Sequence, residues 1–515
     1  MLFWQEHAND EICSMCGDSR WKPNGNHENN TNGAVGTRER KIPAKVLRYF
    51  PLKPRLQRLF MSTKMASLMT WHENGRIKDG FMRHPVDSPT WKEFDAKYPK
   101  FAAEPRNVRL GLENDGINPF RTLGATYSTW PVVLILYNFP PWMCMKQPYL
   151  FLSLIVPGPN APRNDIDVYL QPVIAELKEL SEDGVETYNA STNQNFQLRV
   201  ALLTIINDFP AYGNLSGWST KGRFACPSCN SETCSQWLKH GQKFCYMGHR
   251  RFLDTNHRFR YEKQSFDGNQ EFRVAPTPPS GTTVLHQLDG LQFTLGKKDQ
   301  GNIGGKRKRN TELESRFFKW KKRSIFILLP YWQHNLCRHN LDVMHIEKNI
   351  CDNLIGTLLN LDGKTKDNVK ARLDLRVMRI RPELHPQQHG SNFAYLPLAC
   401  YSLSSAEKEV FCRVLKSIKA PDGYASNISQ RVDVRQRKIW GLKSHDCHVL
   451  MQQLLPLAMR RTLPKNVYSS LTELCNFFRK LCSKVLNPDE LCRMERKIAL
   501  ILCRLERIFP PSWCI

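Results

Sequence analysis

The residues best suited to chemistry in this sequence are a few acids, cysteines and histidines. The run FQLRVALLTIINDFPAYGNLSGWSTKGRFACPSCN, from Phe196 to Asn230, ends its apolar half at Asp208 and goes on to Cys226 and Cys229. An ionised carboxylate at the mouth of a core strand costs several kcal/mol unless it is paired or holds a metal. Capping of the next turn by Asn207 and Asp208 is the simpler use of the same side chains. Cys226 and Cys229, in CPSC, have the spacing of half a tetrahedral zinc site, with Lys221 and Arg223 adding positive charge beside them. Cys13 and Cys16, in CSMCGDSRWK, have the layout of one knuckle of a zinc ribbon whose second pair is missing, so they read as a partial site. The densest cluster is HNLCRHNLDVMHIEKNICDNLIGTLLN, where His339, Asp342, His345 and Glu347 fall within nine positions. A glutamate in the first turns of a helix is also favoured by the helix dipole, but the gathering of four such residues favours a functional role. Cys245 and His249 in FCYMGHRRFL could be a further metal pair but read better as a packed thiol and a surface imidazole, and His445, Asp446 and His448 could be ligands but read better as polar positions at a helix start.

Elements that could position these groups follow from the hydrophobic pattern. Val108–Leu112 reads as a strand leading to Asp115, WPVVLILYNFPP and YLFLSLIVPGP as two more, and VYLQPVIAELKELSEDG as a helix with Leu170, Val173, Ile174 and Leu177 on one face. The Val/Leu/Ile run that ends at Asp208 reads as a fourth strand, buried on both faces. Three strands in succession, a crossover helix and a fourth strand describe the front half of an RNase H-like fold, in which the first and fourth strands lie side by side. Asp115 and Asp208 would then meet. SIFILLPYW reads as a further strand, and Ile346, Ile350, Leu354 and Leu358 mark a helix that opens near Asp342.

Composition bounds the partners. The 515 residues carry 74 Lys and Arg against 48 Asp and Glu, a formal charge of +26, which suits a polyanion. The longest apolar stretches fall well short of the ~20 residues of a spanning helix, and MLFWQEHANDE has neither a basic leader nor a signal core, so no membrane partner is expected. Seventeen scattered cysteines in a chain of this size suit thiolate metal sites in a reducing compartment better than a disulfide framework. Two basic clusters, GGKRKRN (Lys306, Arg307, Lys308, Arg309) and KWKKR (Lys321, Lys322, Arg323), read as phosphate contacts or a nuclear localisation signal.

These strings together resemble plant CACTA-type (En/Spm-like) DNA transposases. The resemblance rests on GLENDGINPF, NDFPAYGNLSGWSTKGRFACPSC, YMGHRRFL, LPYWQHNLCRHNLDVMHIEKNICDNLIGTLLN, GLKSHDCHVLMQQLLPLAMR and IFPPS, and extends from about Cys13 to the C-terminus. It departs from the family in lacking the fuller cysteine-rich element ahead of Cys13 and any continuation past FPPS.

The resemblance implies an α+β fold: an RNase H-like mixed sheet with a zinc-knuckle insertion, then a mostly helical C-terminal domain. The expected segments are a partial cysteine-rich part over 1–40, a basic helical region over 41–104, a core over 105–365 with its insertion at about 220–322, and a helical part over 366–515. It also implies two Mg²⁺ (or Mn²⁺) ions held by Asp115, Asp208 and Glu347, with Asp342 and Glu407 as rivals for the third acid. Such a pair activates water or a 3′-hydroxyl and stabilises the leaving oxygen. Structural Zn²⁺ would be held by Cys226 and Cys229 with His339 and His345, or with His334 as a substitute. The expected partners are DNA, as transposon ends and target, and further copies of the chain in a synaptic assembly, all in the nucleus. Two other readings share these residues: a metal-dependent nuclease without strand transfer, and a catalytically inactive or co-opted zinc-containing DNA-binding protein.

Overall fold

The structure is a computed structural model that describes residues 1–23, 41–120, 127–291, 319–389, 393–419, 421 and 427–513. It is α+β, with a mixed sheet and a helical C-terminal region. The chain forms two compact units. The first comprises Met1–Ile77, His84–Ser219 and Ser280–Asn340, and the second Lys78–Arg83, Thr220–Pro279 and Leu341–Ile515.

A six-stranded sheet organises the first unit. Its strands, in chain order, are β1 (Arg48–Tyr49), β2 (Val108–Asn114), β3 (Trp130–Leu136), β4 (Phe151–Val156), β5 (Val200–Asn207) and β6 (His339–Leu341), and their spatial order is β1-β4-β3-β2-β5-β6. The chain passes out of the first unit within β6. β2, β3 and β4 form an antiparallel meander, whereas β5 joins β2 in parallel, with Leu112 opposite Ile205 and Glu113 opposite Ile206. A parallel neighbour requires a crossover, and helix α1 (Ile166–Glu182) supplies it. Its buried Leu170, Val173, Ile174, Leu177 and Leu180 are one helical face. β5 is buried along nearly its whole length, as its run of β-branched and aliphatic residues requires.

Two local readings of the sequence are corrected. The run expected as one strand to Asp208 is split, because Gln194–Leu198 pairs back on Val185–Asn189 in a separate hairpin before β5 begins. SIFILLPYW is not a strand: Ile325–Leu328 is a 3₁₀ turn that buries Ile325 and Phe326 in the core without joining a ladder.

Two histidines, His72 and His84, are enclosed in this core, at 4% and 6% exposure. Burial, with the Arg109 charge second, depresses His72 to about 3, and burial depresses His84 to about 4. Both fold neutral but protonate when unfolded below about 6.5, so the stability they confer is complete above that pH and is lost as pH falls through 4 toward 3. By the end of that window His84 costs about 3 kcal/mol and His72 about 4 kcal/mol. Thermal midpoints are therefore expected to fall between pH 7 and 4, and His72→Phe should flatten that dependence.

The second unit has its own apolar core, built from helix α2 (Val343–Leu358), α3 (Ser444–Val449), α4 (Lys465–Leu481) and α5 (Pro488–Ile508) with the segments around them. Cys351, Leu354, Ile355 and Leu358 give α2 its buried stripe, and the Asp342 side chain caps it by accepting from the Met344 N–H at 2.9 Å. Thr220–Pro279, which belongs to this unit, is braced internally by guanidinium groups. Buried Arg250 donates to the carbonyls of Glu262 and Asn269 and to Asp267, buried Arg251 to the Val274 carbonyl and Glu232, and buried Arg260 to the carbonyls of Arg250 and Arg273. His249 pairs with the buried carboxylate of Glu506 on α5. Among the described residues no helix is long and apolar enough to cross a membrane.

Candidate acid and metal sites

Asp115 is the residue after the last position of β2, and Asp208 the residue after the last position of β5. Since β2 and β5 run parallel and side by side, the two carboxylates leave the same edge of the sheet at adjacent strand ends. The register holds to that edge, where the Asn207 side chain donates to the Asn114 carbonyl at 3.2 Å. Asp115 is exposed and accepts from the Gly116 N–H at 2.6 Å. Asp208 is half-buried and accepts through Oδ1 from the Ala211 N–H at 2.7 Å, which makes it the N-cap of the helix Phe209–Ser216. The capping role suggested by the sequence is therefore present, and it occupies one carboxylate oxygen.

The remaining acids are placed differently. Asp342 is half-buried and follows the last residue of β6 directly. Glu407 closes a capping box with Ser404, which accounts for it as a helix start. Glu347 is fully buried in the second unit, where Oε2 contacts His448 Nδ1 at 2.5 Å and Oε1 accepts from Gln452 Nε2 at 2.9 Å. His448 lies in the short helix Ser444–Val449, as the sequence suggests, and also meets Glu347. Glu347 and His448 are 101 positions apart, and no local spacing announces the pair.

The cysteine pairs both form compact turns. The Cys229 N–H donates to Cys226 Sγ at 3.3 Å. Hydrogen bonding from Cys229 lowers the Cys226 thiol to about 6, while the same contact drives Cys229 up. For Cys13, burial pushes the thiol up, but the N–H groups of Met15 and Cys16 and the Cys16 side chain outweigh it, so the net shift is downward. Cys16 is raised: the Asp18 N–H lowers it, but Cys13 and burial together outweigh that.

Of the histidines expected to complete the zinc site, two belong to the first unit and one to the second, which also holds Cys226 and Cys229. His339 belongs to the first unit, with its ring against Tyr212, Phe326 and Trp332, and burial drives its imidazole down to about 3. His334, also in the first unit, lies against Tyr98. His345 is half-buried on α2. Among the described residues, one group of three ligand-type side chains brings its donor atoms within 4.8 Å of one another: Glu347, His448 and Cys482.

Of the basic positions, Lys306, Arg307, Lys308 and Arg309 lie outside the described residues. Lys321 and Arg323 are exposed. Lys322 is a correction, because its side chain is fully buried, with Nζ 2.5 Å from Asp167 and 3.1 Å from the Asn164 carbonyl. A lysine so enclosed cannot reach a phosphate. Gly217 forces the geometry: its φ of +84° ends the helix Phe209–Ser216, and a Cβ there would meet the Lys322 carbonyl at 2.4 Å.

Residues 79–291 match the family model described as Transposase family tnp2, and residues 481–514 match that of a domain of unknown function (DUF4218). No curated protein matches the chain. Over residues 79–291 the chain is thus similar to the tnp2 transposase family.

Proposed function

We propose that the chain is a CACTA-type DNA transposase, with an RNase H-like core that cuts DNA at transposon ends and joins it to target DNA. The observation that carries this reading is the placement of Asp115 and Asp208 one residue beyond two neighbouring parallel strands. The spatial order β4-β3-β2-β5-β6, with an antiparallel meander and a parallel fourth strand, is the order expected of such a core. The tnp2 match spans both aspartates.

The two carboxylates suit a hard divalent cation, which prefers oxygen donors. Mg²⁺ or Mn²⁺, when bound there, supplies Lewis-acid activation of the attacking oxygen and stabilisation of the leaving one. Asp115 and Asp208 hold that charge at the sheet edge. The Ala211 N–H fixes the orientation of Asp208, so its second oxygen is aimed by the helix start. Within the second unit the oxygens of Glu347 are both engaged, by His448 and Gln452. Cys226 and Cys229 remain the proposed zinc pair. Assembly into a synaptic complex and action in the nucleus belong to the same proposal.

Exposed Lys321 and Arg323 are the described candidates for phosphate contacts. Replacing both with alanine should weaken DNA binding similarly across sequences and reduce the slope of log K against log salt by about 1.8. The test of catalysis is Mg²⁺- or Mn²⁺-dependent nicking of labelled transposon-end DNA, compared with Asp115→Asn and Asp208→Asn. A second reading, a DNA-binding protein without turnover, is favoured by one observation: capping alone accounts for Asp208. DNA binding with no nicking by the wild type or either variant would select it.

A further inference from the structure

We infer that Glu347, His448 and Cys482 form a zinc site inside the helical unit, separate from the acids at the sheet edge and independent of whether the chain cuts DNA. Three elements of that unit meet here. Glu347 lies on α2, His448 on α3, and Cys482 is the residue that ends α4. Their donor atoms already lie within 4.8 Å of one another. In a tetrahedral site with Zn–O and Zn–N near 2.0–2.1 Å and Zn–S near 2.3 Å, ligand atoms stand about 3.3–3.7 Å apart. A cation is therefore accommodated by lengthening the contact between Glu347 and His448, now 2.5 Å, and drawing the three donor atoms to those separations.

The environment of Glu347 asks for such a charge. Its carboxylate has no exposure, and its hydrogen-bond partners are an imidazole and an amide, with no lysine or arginine among them. A buried carboxylate without a fixed cation is costly, and a divalent ion supplies one. One carboxylate, one imidazole and one thiolate make a donor set that suits Zn²⁺ and not Mg²⁺ or Ca²⁺. Gln452 holds the carboxylate through Nε2 and stands 3.1 Å from His448 Nδ1, so it positions both ligands. It reaches them from a π-helical turn, Leu450–Leu454, a distortion that recurs at functional sites. His448 and Cys482 are partly exposed, which gives the ion a way in, and water completes the fourth position. Binding releases the Cys482 thiol proton and ties α2 to α3 and α4.

The experiment measures zinc per chain by elemental analysis after Zn²⁺ loading and dialysis, on the full chain with Cys13, Cys16, Cys226 and Cys229 intact. Cys482→Ser and His448→Gln should each lose one equivalent, and the double variant the same one and no more. Wild-type zinc content in both variants, with unchanged circular dichroism, overturns the inference. A second measurement needs no variant: N-ethylmaleimide labelling of the wild type, mapped by mass spectrometry with and without a chelator. Cys482 should label at least tenfold more slowly when loaded, with exposed Cys492 as the reference and buried Cys412 reporting any unfolding. Equal labelling of Cys482 in the two states, relative to Cys492, also overturns it.

Discussion

Asp208→Asn is expected to lower Mg²⁺-dependent nicking roughly 1,000-fold, about 4 kcal/mol of barrier, while leaving the thermal midpoint almost unchanged. The two effects separate because the side chain has two uses. Its Oδ1 caps the helix Phe209–Ser216, and asparagine caps a helix about as well as aspartate. Its charge is what a divalent ion requires, and the amide lacks it. Asp208→Ala should show the same loss of nicking together with about 1 kcal/mol of lost stability, from the missing cap. An asparagine variant that nicks like the wild type would remove Asp208 from the chemistry and leave it as a cap.

Lys322→Met is the second large effect, and it acts on stability. Lys322 and Asp167 are both buried, and Asp167 also accepts from the Ile325 N–H at 3.1 Å. Removing one partner of such a pair costs about 3–5 kcal/mol, because the other charge is left in the core. Burial raises Asp167 to about 6 even with Lys322 beside it. Without the lysine the carboxyl is pushed higher still. A carboxyl whose folded value is raised contributes stability at low pH and loses it as pH rises through that value. The variant's deficit should therefore be largest near pH 8 and shrink toward pH 5. Lys322→Met combined with Asp167→Leu should recover most of the loss. Chemical denaturation at the two pH values checks both statements. Weakened DNA binding at unchanged stability would instead restore Lys322 to the phosphate-contacting cluster.

Lys322 also shows what the sequence could and could not disclose. In KWKKR, four of five residues are basic and any could face a polyanion. Which one turns inward depends on Asp167, 155 positions away, and on the close approach permitted by Gly217. The sheet was more legible. Runs of β-branched and aliphatic residues ending in Pro, Gly or Asn marked β2, β3, β4 and β5, and the stripe of α1 marked the crossover, because periodicity is local. The segment Ile325–Leu328 failed by the same logic: a short apolar run satisfies a buried turn as well as a strand. Asp115, Asp208 and Asp342 could be singled out because each directly follows a strand. The partners of Glu347 could not, since His448, Gln452 and Cys482 come from later helices and only folding brings them to it. The arginines of YMGHRRFL were likewise hidden, since nothing in a basic string tells that a guanidinium will bind loop carbonyls.

The second unit is drawn from three separate stretches of chain, and the earliest is only the short segment Lys78–Arg83. There Met82 pairs by two backbone hydrogen bonds with Leu486, near the other end of the chain. During synthesis that segment leaves the ribosome long before its partner exists, so it must wait, unpaired, beside a first unit that is itself still missing Ser280–Asn340. A contiguous recombinant fragment such as 79–291 contains neither unit whole. Yield and solubility should therefore depend on chaperones and on full-length translation, and limited proteolysis should release no single peptide able to refold by itself.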